Sequence, residues 1–180
     1  MWISIIVISI VGTLAHFLYD LSNHNKVIGL FSAVNESTWE HIKIAITPTL
    51  LWGLYDGYVF GDNSNYFPAK IISLLTMTMV IPLIFYFQKI FLKKDNVIVN
   101  VLSFYVAIFL GQFMFYQVIN SEPFDYTYIY ISCVALFIFF GCYLLLTLLP
   151  LEFFIFKDPI SKKYGYEGHT EDFSIVHKKK

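Results

Sequence analysis

The sequence predicts an all-α polytopic membrane bundle of five transmembrane helices. Three observations predict it. The 180 residues are 57% hydrophobic and only 14% charged, where soluble domains carry about 25% charged residues. Mean hydropathy is +0.64. Five apolar segments approach the length of about 20 residues that a spanning helix needs.

The first segment runs roughly from Trp2 to Leu21. It lacks a basic leading region and its apolar run is too long for a signal peptide, so it reads as a retained span. The second runs roughly from Trp39 to Phe60 and opens with the polar cluster Asn35, Glu36, Glu40, His41 and Lys43. The third, roughly Ala69 to Phe91, contains Pro82, which should kink it. The fourth is roughly Val97 to Ile119 and the fifth roughly Tyr126 to Leu149. Residues 1–156 therefore form the membrane domain, and 157–180 a short cytoplasmic tail. No internal repeat is visible, which disfavours the inverted repeats of secondary transporters.

Lysine placement orients the chain, because cytoplasmic loops collect positive charge. Lys89, Lys93 and Lys94 fall between the third and fourth segments, and Lys157, Lys162, Lys163 and Lys178 to Lys180 in the tail. The link between the fourth and fifth segments has two acids and no lysine. The N-terminus is thus expected outside and the C-terminus in the cytoplasm. All 12 basic residues are lysine, which suggests the codon bias of a low-GC microbe and hence the inner membrane of a prokaryote. Without arginine the chain lacks the best bidentate phosphate ligand, and nucleic acid is not expected as a partner. The lipid bilayer is the expected partner. Cys133 and Cys142, nine positions apart on one helix, read as free thiols.

This topology gathers His16, Asp20, His24, Glu36, Glu40, His41 and Lys43 at one end, with His169 starting on the same side. Two readings compete for them. In the structural one, Ser37-Thr38-Trp39-Glu40 is a capping box, Glu40 reaching back to the Ser37 amide. Glu36 then pairs with Lys43 or another lysine, and His24 and His169 are solvated loop residues. In the functional one, these residues line a cytoplasm-facing pocket. Glu36 or Glu40 is a catalytic base, and His16, Asp20, Asn35, His41 and Lys43 line the site. His16, Asp20 and His41 are candidate ligands of a divalent metal ion, since imidazole and carboxylate suit Zn, Mn or Fe. A regular helix cannot aim Glu36, Glu40 and His41 at one ion, so the helix must begin after Glu36 if both carboxylates serve it.

Other positions have plain structural readings. Gly12, Gly111 and Gly141 are close-packing points, and Gln112, Gln117, Ser132 and Thr147 make hydrogen bonds between helices. Asp56 is an outer-surface residue amid tyrosines. Tyr164-Gly165-Tyr166 folds back onto the cytoplasmic mouth, and His177 belongs to the tail with the last lysines.

HFLYDLSNHN, FSAVNESTWEH and FKDPISKKYG together resemble a family of small prokaryotic integral membrane proteins catalogued only as a domain of unknown function. The NESTWEH segment anchors the resemblance, which spans most of the chain. It implies a compact multi-helix membrane protein and no particular activity. A fainter similarity links Glu36, Glu40 and His16-x-x-x-Asp20 to CAAX-protease-like intramembrane enzymes, although their adjacent glutamate pair is missing here. Three functional classes remain open: a metal- or ligand-binding membrane protein, in one version an intramembrane hydrolase; a transporter or channel subunit, which at this size would form homo-oligomers; and a non-catalytic scaffold or accessory subunit.

Overall fold

The computed structural model describes residues 1–91 and 97–169. The expectations placed on Lys93, Lys94, His177 and Lys178 to Lys180 lie outside these residues. Among the described residues five long helices form the bundle: α1 (Trp2–Leu21), α3 (Thr38–Phe60), α4 (Tyr66–Phe91), α5 (Val97–Ile119) and α6 (Tyr126–Leu148). A short turn, α2 (Lys26–Gly29), lies in the first connection, and a 3-10 turn (Gly165–Gly168) lies near the end. No strand forms among the described residues.

Local chemistry sets the boundaries. Asn25 caps α2 through Val27 and Ile28, Ser37 caps α3 through the Glu40 amide, and Asp125 caps α6 through Thr127. These side chains satisfy amides that a helix start leaves open. α3 therefore starts after Glu36, as a shared carboxylate site requires. The capping box forms only by half. Asn35 Oδ1 takes the Ser37 amide at 2.8 Å, and Glu40 turns inward instead.

α1, α4, α5 and α6 are long and apolar enough to cross a membrane. α3, expected as another span, does not join them on composition, because it carries Glu40, Lys43 and Asp56. Twelve of its 23 residues are buried, so its surroundings are mainly other helices. α1, α4 and α5 each pack against it, and α4 and α5 share the most extensive helix pairing. α6 sits outside this group against α4, with only Tyr143 and Thr147 buried. Its exposed face of Ile131, Val134, Phe137 and Ile138 suits contact with a lipid bilayer.

The core joins Ile8 of α1, Ile42, Ile44, Ala45 and Ile46 of α3, Leu74, Met77 and Ile81 of α4, and Phe104, Ala107 and Ile108 of α5. Gly12 is the tight point. A Cβ there would lie 2.6 Å from the Ile44 carbonyl oxygen and 2.7 Å from Phe104 Cζ. Gly111 has a similar role, since a Cβ there would lie 2.5 and 2.6 Å from two side-chain atoms of Met77. Gly141 does not, because a Cβ there would have nothing within 4 Å.

Several polar residues differ from expectation. Asp56 is buried and holds Lys70 Nζ at 2.5 Å, while Lys70 sits 4.5 Å from the Phe115 ring centroid. A lysine supplied by α4 allows this carboxylate inside. Ser132 and Thr147 donate to carbonyls four residues back in their own helix, satisfying themselves without a neighbour. Gln117 is exposed, and the Nε2 of buried Gln112 has no partner. Cys133 and Cys142 are free and exposed on α6.

Lys43 is fully buried. Its Nζ lies 2.6 Å from Glu40 Oε2 and donates to the Gly29 carbonyl at 2.8 Å, while the same Glu40 oxygen accepts the Val34 amide at 2.9 Å. The pair thus ties the 29–34 connection to the first turns of α3.

Lys43→Met leaves Glu40 buried without its cation and should cost about 3–5 kcal/mol, read as a lower thermal midpoint in detergent. Adding Glu40→Gln should recover part of that loss. Gly12→Ala should cost about 1–3 kcal/mol by overpacking against main chain, whereas Gly141→Ala should leave the midpoint nearly unchanged.

Candidate functional site: two histidine–carboxylate groups at one end of the bundle

Three segments build this end. α1 contributes His16, Tyr19 and Asp20 from its last two turns. The chain then reverses through Asn23 and His24, whose φ values of 55° and 60° are left-handed. Asn and His tolerate that region better than most residues, yet two in succession are uncommon. The reversal is held by the His24 amide donating to the Tyr19 carbonyl at 3.1 Å. It returns the His24 ring over α1, 5.3 Å from the Tyr19 ring and 3.5 Å from Asp20 Oδ1.

The second segment runs from Ala33 to Ser37, the third from Pro150 to His169. The third folds back over the second. Trp39 donates its amide to the Ile155 carbonyl at 2.9 Å, and the Glu36 amide donates to Asp158 Oδ1 at 3.0 Å. Asp158 Oδ2 accepts the Ile160 and Ser161 amides. Asn35 Nδ2 donates to the Gly165 carbonyl at 2.8 Å. Gly165 has φ +52°, and Pro150 Cγ would stand 2.9 Å from a Cβ there. Glycine is required on both counts. Tyr166 donates to the Lys26 carbonyl at 2.7 Å. Burial, with the Glu40 charge adding to it, pushes that phenol up to about 12, so it remains a donor at physiological pH.

Two groups of candidate side chains result. In the first, Glu36 lies between two imidazoles: His16 Nε2 is 3.5 Å from Oε1 and His41 Nε2 is 3.7 Å from Oε2. All three are partly accessible, at 22% for each histidine and 34% for Glu36. His41 Nδ1 lies 3.0 Å from the Ser37 carbonyl. A carbonyl only accepts, so Nδ1 carries the proton. His16 Nδ1 is buried and has no partner. The distances to Glu36 exceed the usual hydrogen-bond range of about 2.7–3.2 Å, leaving the carboxylate open to a further donor or cation.

In the second, Asp20, His24 and His169 bring one ligand atom each within 4.8 Å of the others. His169 Nε2 is 3.0 Å from His24 Nε2 and 3.4 Å from Asp20 Oδ1. His169 Nδ1 lies 2.8 Å from the Val34 carbonyl, so by the same argument Nδ1–H donates and Nε2 presents a lone pair to the group. Tyr19 packs edge-on to the His169 ring at 5.0 Å and supports its orientation.

The expected metal set of His16, Asp20 and His41 is therefore divided. Asp20 turns toward His24 and His169, while His16 and His41 share Glu36. Among the described residues the set whose ligand atoms converge is Asp20, His24 and His169. His24 is an exposed loop residue that nonetheless meets Asp20 and His169, while the His169 side chain is only 18% exposed. Glu36 faces histidines rather than Lys43 or another lysine. Glu40 and Lys43 are engaged with each other and with main chain, and Asn35 is engaged with the tail. His24 was not legible from helical spacing, because α1 ends at Leu21 and the left-handed reversal brings the His24 ring back to Asp20. His169 lies 145 positions from its partner, and no local pattern announces it.

No curated protein and no solved structure matches the chain. A family model described as a family of unknown function, DUF6512, matches residues 1–166, a stretch that holds the α1 reversal, the NESTWEH segment and the returning tail as far as Tyr166. The chain belongs to this family of unknown function.

Proposed function

We propose that this chain is a polytopic membrane protein that binds a divalent metal ion through Asp20, His24 and His169. Its five long helices cross the bilayer with the N-terminus outside and the histidine-bearing end in the cytoplasm. Lysine placement supports that orientation: Lys89, Lys157 and Lys162 line one surface cleft beside the returning tail. α3 crosses as the enclosed member, where its charges meet protein rather than lipid.

The ligand spacing carries the metal reading. The three atoms stand 3.0, 3.4 and 3.5 Å apart. A tetrahedral zinc site with metal–ligand bonds of about 2.0–2.1 Å has ligand–ligand edges of about 3.3 Å. The Val34 carbonyl fixes the His169 tautomer as an outer partner does at metal sites. Three protein ligands leave one position for water. Glu36 follows Val34 by two residues, and His16 precedes Asp20 by one helical turn. A metal held by Asp20, His24 and His169 would supply a Lewis acid suited to hydrolysis, and Glu36 would then serve as general base with His16 and His41 as proton carriers.

A second reading rests on the polar groups buried along α3: Glu40 with Lys43, Thr47 with Tyr143, Thr49, and Asp56 with Lys70. They favour ion passage along the helix. Proteoliposome flux that is lost in Thr47→Val and kept in His169→Ala would support transport over a metal-dependent hydrolase.

Zinc titration of the purified chain in detergent tests the first reading. The expected result is one zinc per chain, weakened at least tenfold by His24→Ala or His169→Ala and little changed by His41→Ala. Zinc binding indifferent to both His24 and His169 would remove the site.

A further inference from the structure

At the opposite end of the bundle a cavity of about 200 Å³ opens between the start of α1, the last turns of α3 and the last turns of α5. Its walls include Ser4, Trp52, Tyr55, Asp56, Gln112 and Tyr116. We propose that this cavity binds the headgroup of an ethanolamine phospholipid, with Asp56 taking the ammonium and the Gln112 carboxamide the phosphate. The inference is independent of the metal site, since the two share no residue.

The first support is an unmet polar group. Gln112 is 2% exposed, and its Nε2 is buried without a partner. Burying an amide N–H group without an acceptor is costly. Gln112 lines the cavity, and rotation about its last torsion lets either end face a ligand. A ligand that brings an acceptor would offset that burial.

The second support is the charge arrangement. Asp56 is 4% exposed and uses Oδ2 for Lys70, which stands behind it outside the cavity wall. The carboxylate retains Oδ1, and its charge is already balanced. A lone cation or anion would leave net charge inside the bundle, which is costly there. A dipolar headgroup that is neutral overall does not. The aromatic faces of Trp52, Tyr55 and Tyr116 suit an ammonium. A carboxylate acceptor favours a primary ammonium, which has N–H to donate, over a quaternary one.

The third support is place and size. Ile3 and Val59 on the rim are exposed, so an acyl chain has an apolar exit beside the headgroup. Trp2, Tyr55, Tyr58 and Tyr116 are exposed around this end, the pattern of residues at headgroup level. The volume equals that of about seven waters at roughly 30 Å³ each, enough for a phosphoethanolamine group.

The test is thermal unfolding of the full chain in detergent with short-chain ethanolamine, choline or glycerol phospholipid, or free phosphoethanolamine. The expected result is a rise of several degrees with the ethanolamine lipid and at most half of it with the other two. Gln112→Leu should raise the midpoint without lipid, because it removes an unpaired buried N–H group, and should abolish the ethanolamine-specific rise. Tyr55→Leu, at a half-exposed rim position, should weaken the lipid response at least threefold without lowering the lipid-free midpoint. Equal responses to all three lipids, a Gln112→Leu variant that keeps the rise, or one that is destabilised without lipid would each overturn the proposal. A matching rise with free phosphoethanolamine at the same concentration would overturn the lipid as its source.

Discussion

The Glu40–Lys43 pair is the interaction on which the polar end depends. Both groups are withdrawn from water, and such a pair stabilises only if its remaining hydrogen-bonding capacity is used. Here main chain uses it: the Gly29 carbonyl accepts from Lys43 and the Val34 amide donates to Glu40. These two main-chain groups bracket the connection between α2 and α3. Residues 29 to 34 are thus drawn down onto α3. Val34 then has its amide on Glu40 and its carbonyl on His169. One residue therefore couples the buried pair to the imidazole that completes the Asp20 group.

The returning tail is the second half of that construction. It has no hydrophobic core of its own. It is held by polar ties of long sequence separation: Glu36 to Asp158, Asn35 to Gly165, Lys26 to Tyr166 and Val34 to His169. Phe156 is its apolar anchor, buried and 5.1 Å from the Trp39 ring. Each tie orders chain at an entropic cost, and they close only if the 29–37 connection is already in place. The order of dependence runs from the ion pair to the connection, then to the tail, then to His169. Damage to the pair therefore reaches the Asp20 group without touching any of its ligands.

The helical architecture was legible because apolar length is a local property. Every long helix appears near its expected bounds, and the Ser37 cap and the tight position at Gly12 follow from short-range rules. What was not legible depends on partners distant in sequence. Asp56 looks like an interfacial acid until Lys70 of the next helix is placed against it. Glu40 looks like half of a capping box, but Lys43 one turn later outcompetes the Ser37 amide for its carboxylate. Gln112 looks like helix-to-helix glue, yet the neighbouring helices offer its Nε2 no acceptor. His24 and His169 resemble solvated loop residues because a left-handed reversal and a 3-10 turn bring them together, and neither has a periodic signature.

The buried polar groups therefore fall into two kinds, and the difference bears on function. Glu40, Lys43, Asn35, Asp158 and Lys70 are matched within the chain, so removing one strands another. They specify the fold. His16 Nδ1 and Gln112 Nε2 are buried without a partner, and Glu36, His24 and His169 keep accessible lone pairs. A chain selected only for stability would gain by replacing unmatched groups with apolar ones of similar shape. Ser73, inside α4, is a further buried hydroxyl without a partner. The others named here stand next to a matched ion pair. The histidines and Glu36 stand over Glu40–Lys43, which fixes the 29–34 connection they share. Gln112 faces the same cavity as Asp56, whose charge Lys70 balances from behind. A finished pair beside an unfinished group holds that group in place without supplying its partner. Each end of the bundle is therefore rigid where it is matched and receptive where it is not, which is the condition for binding something from outside the chain.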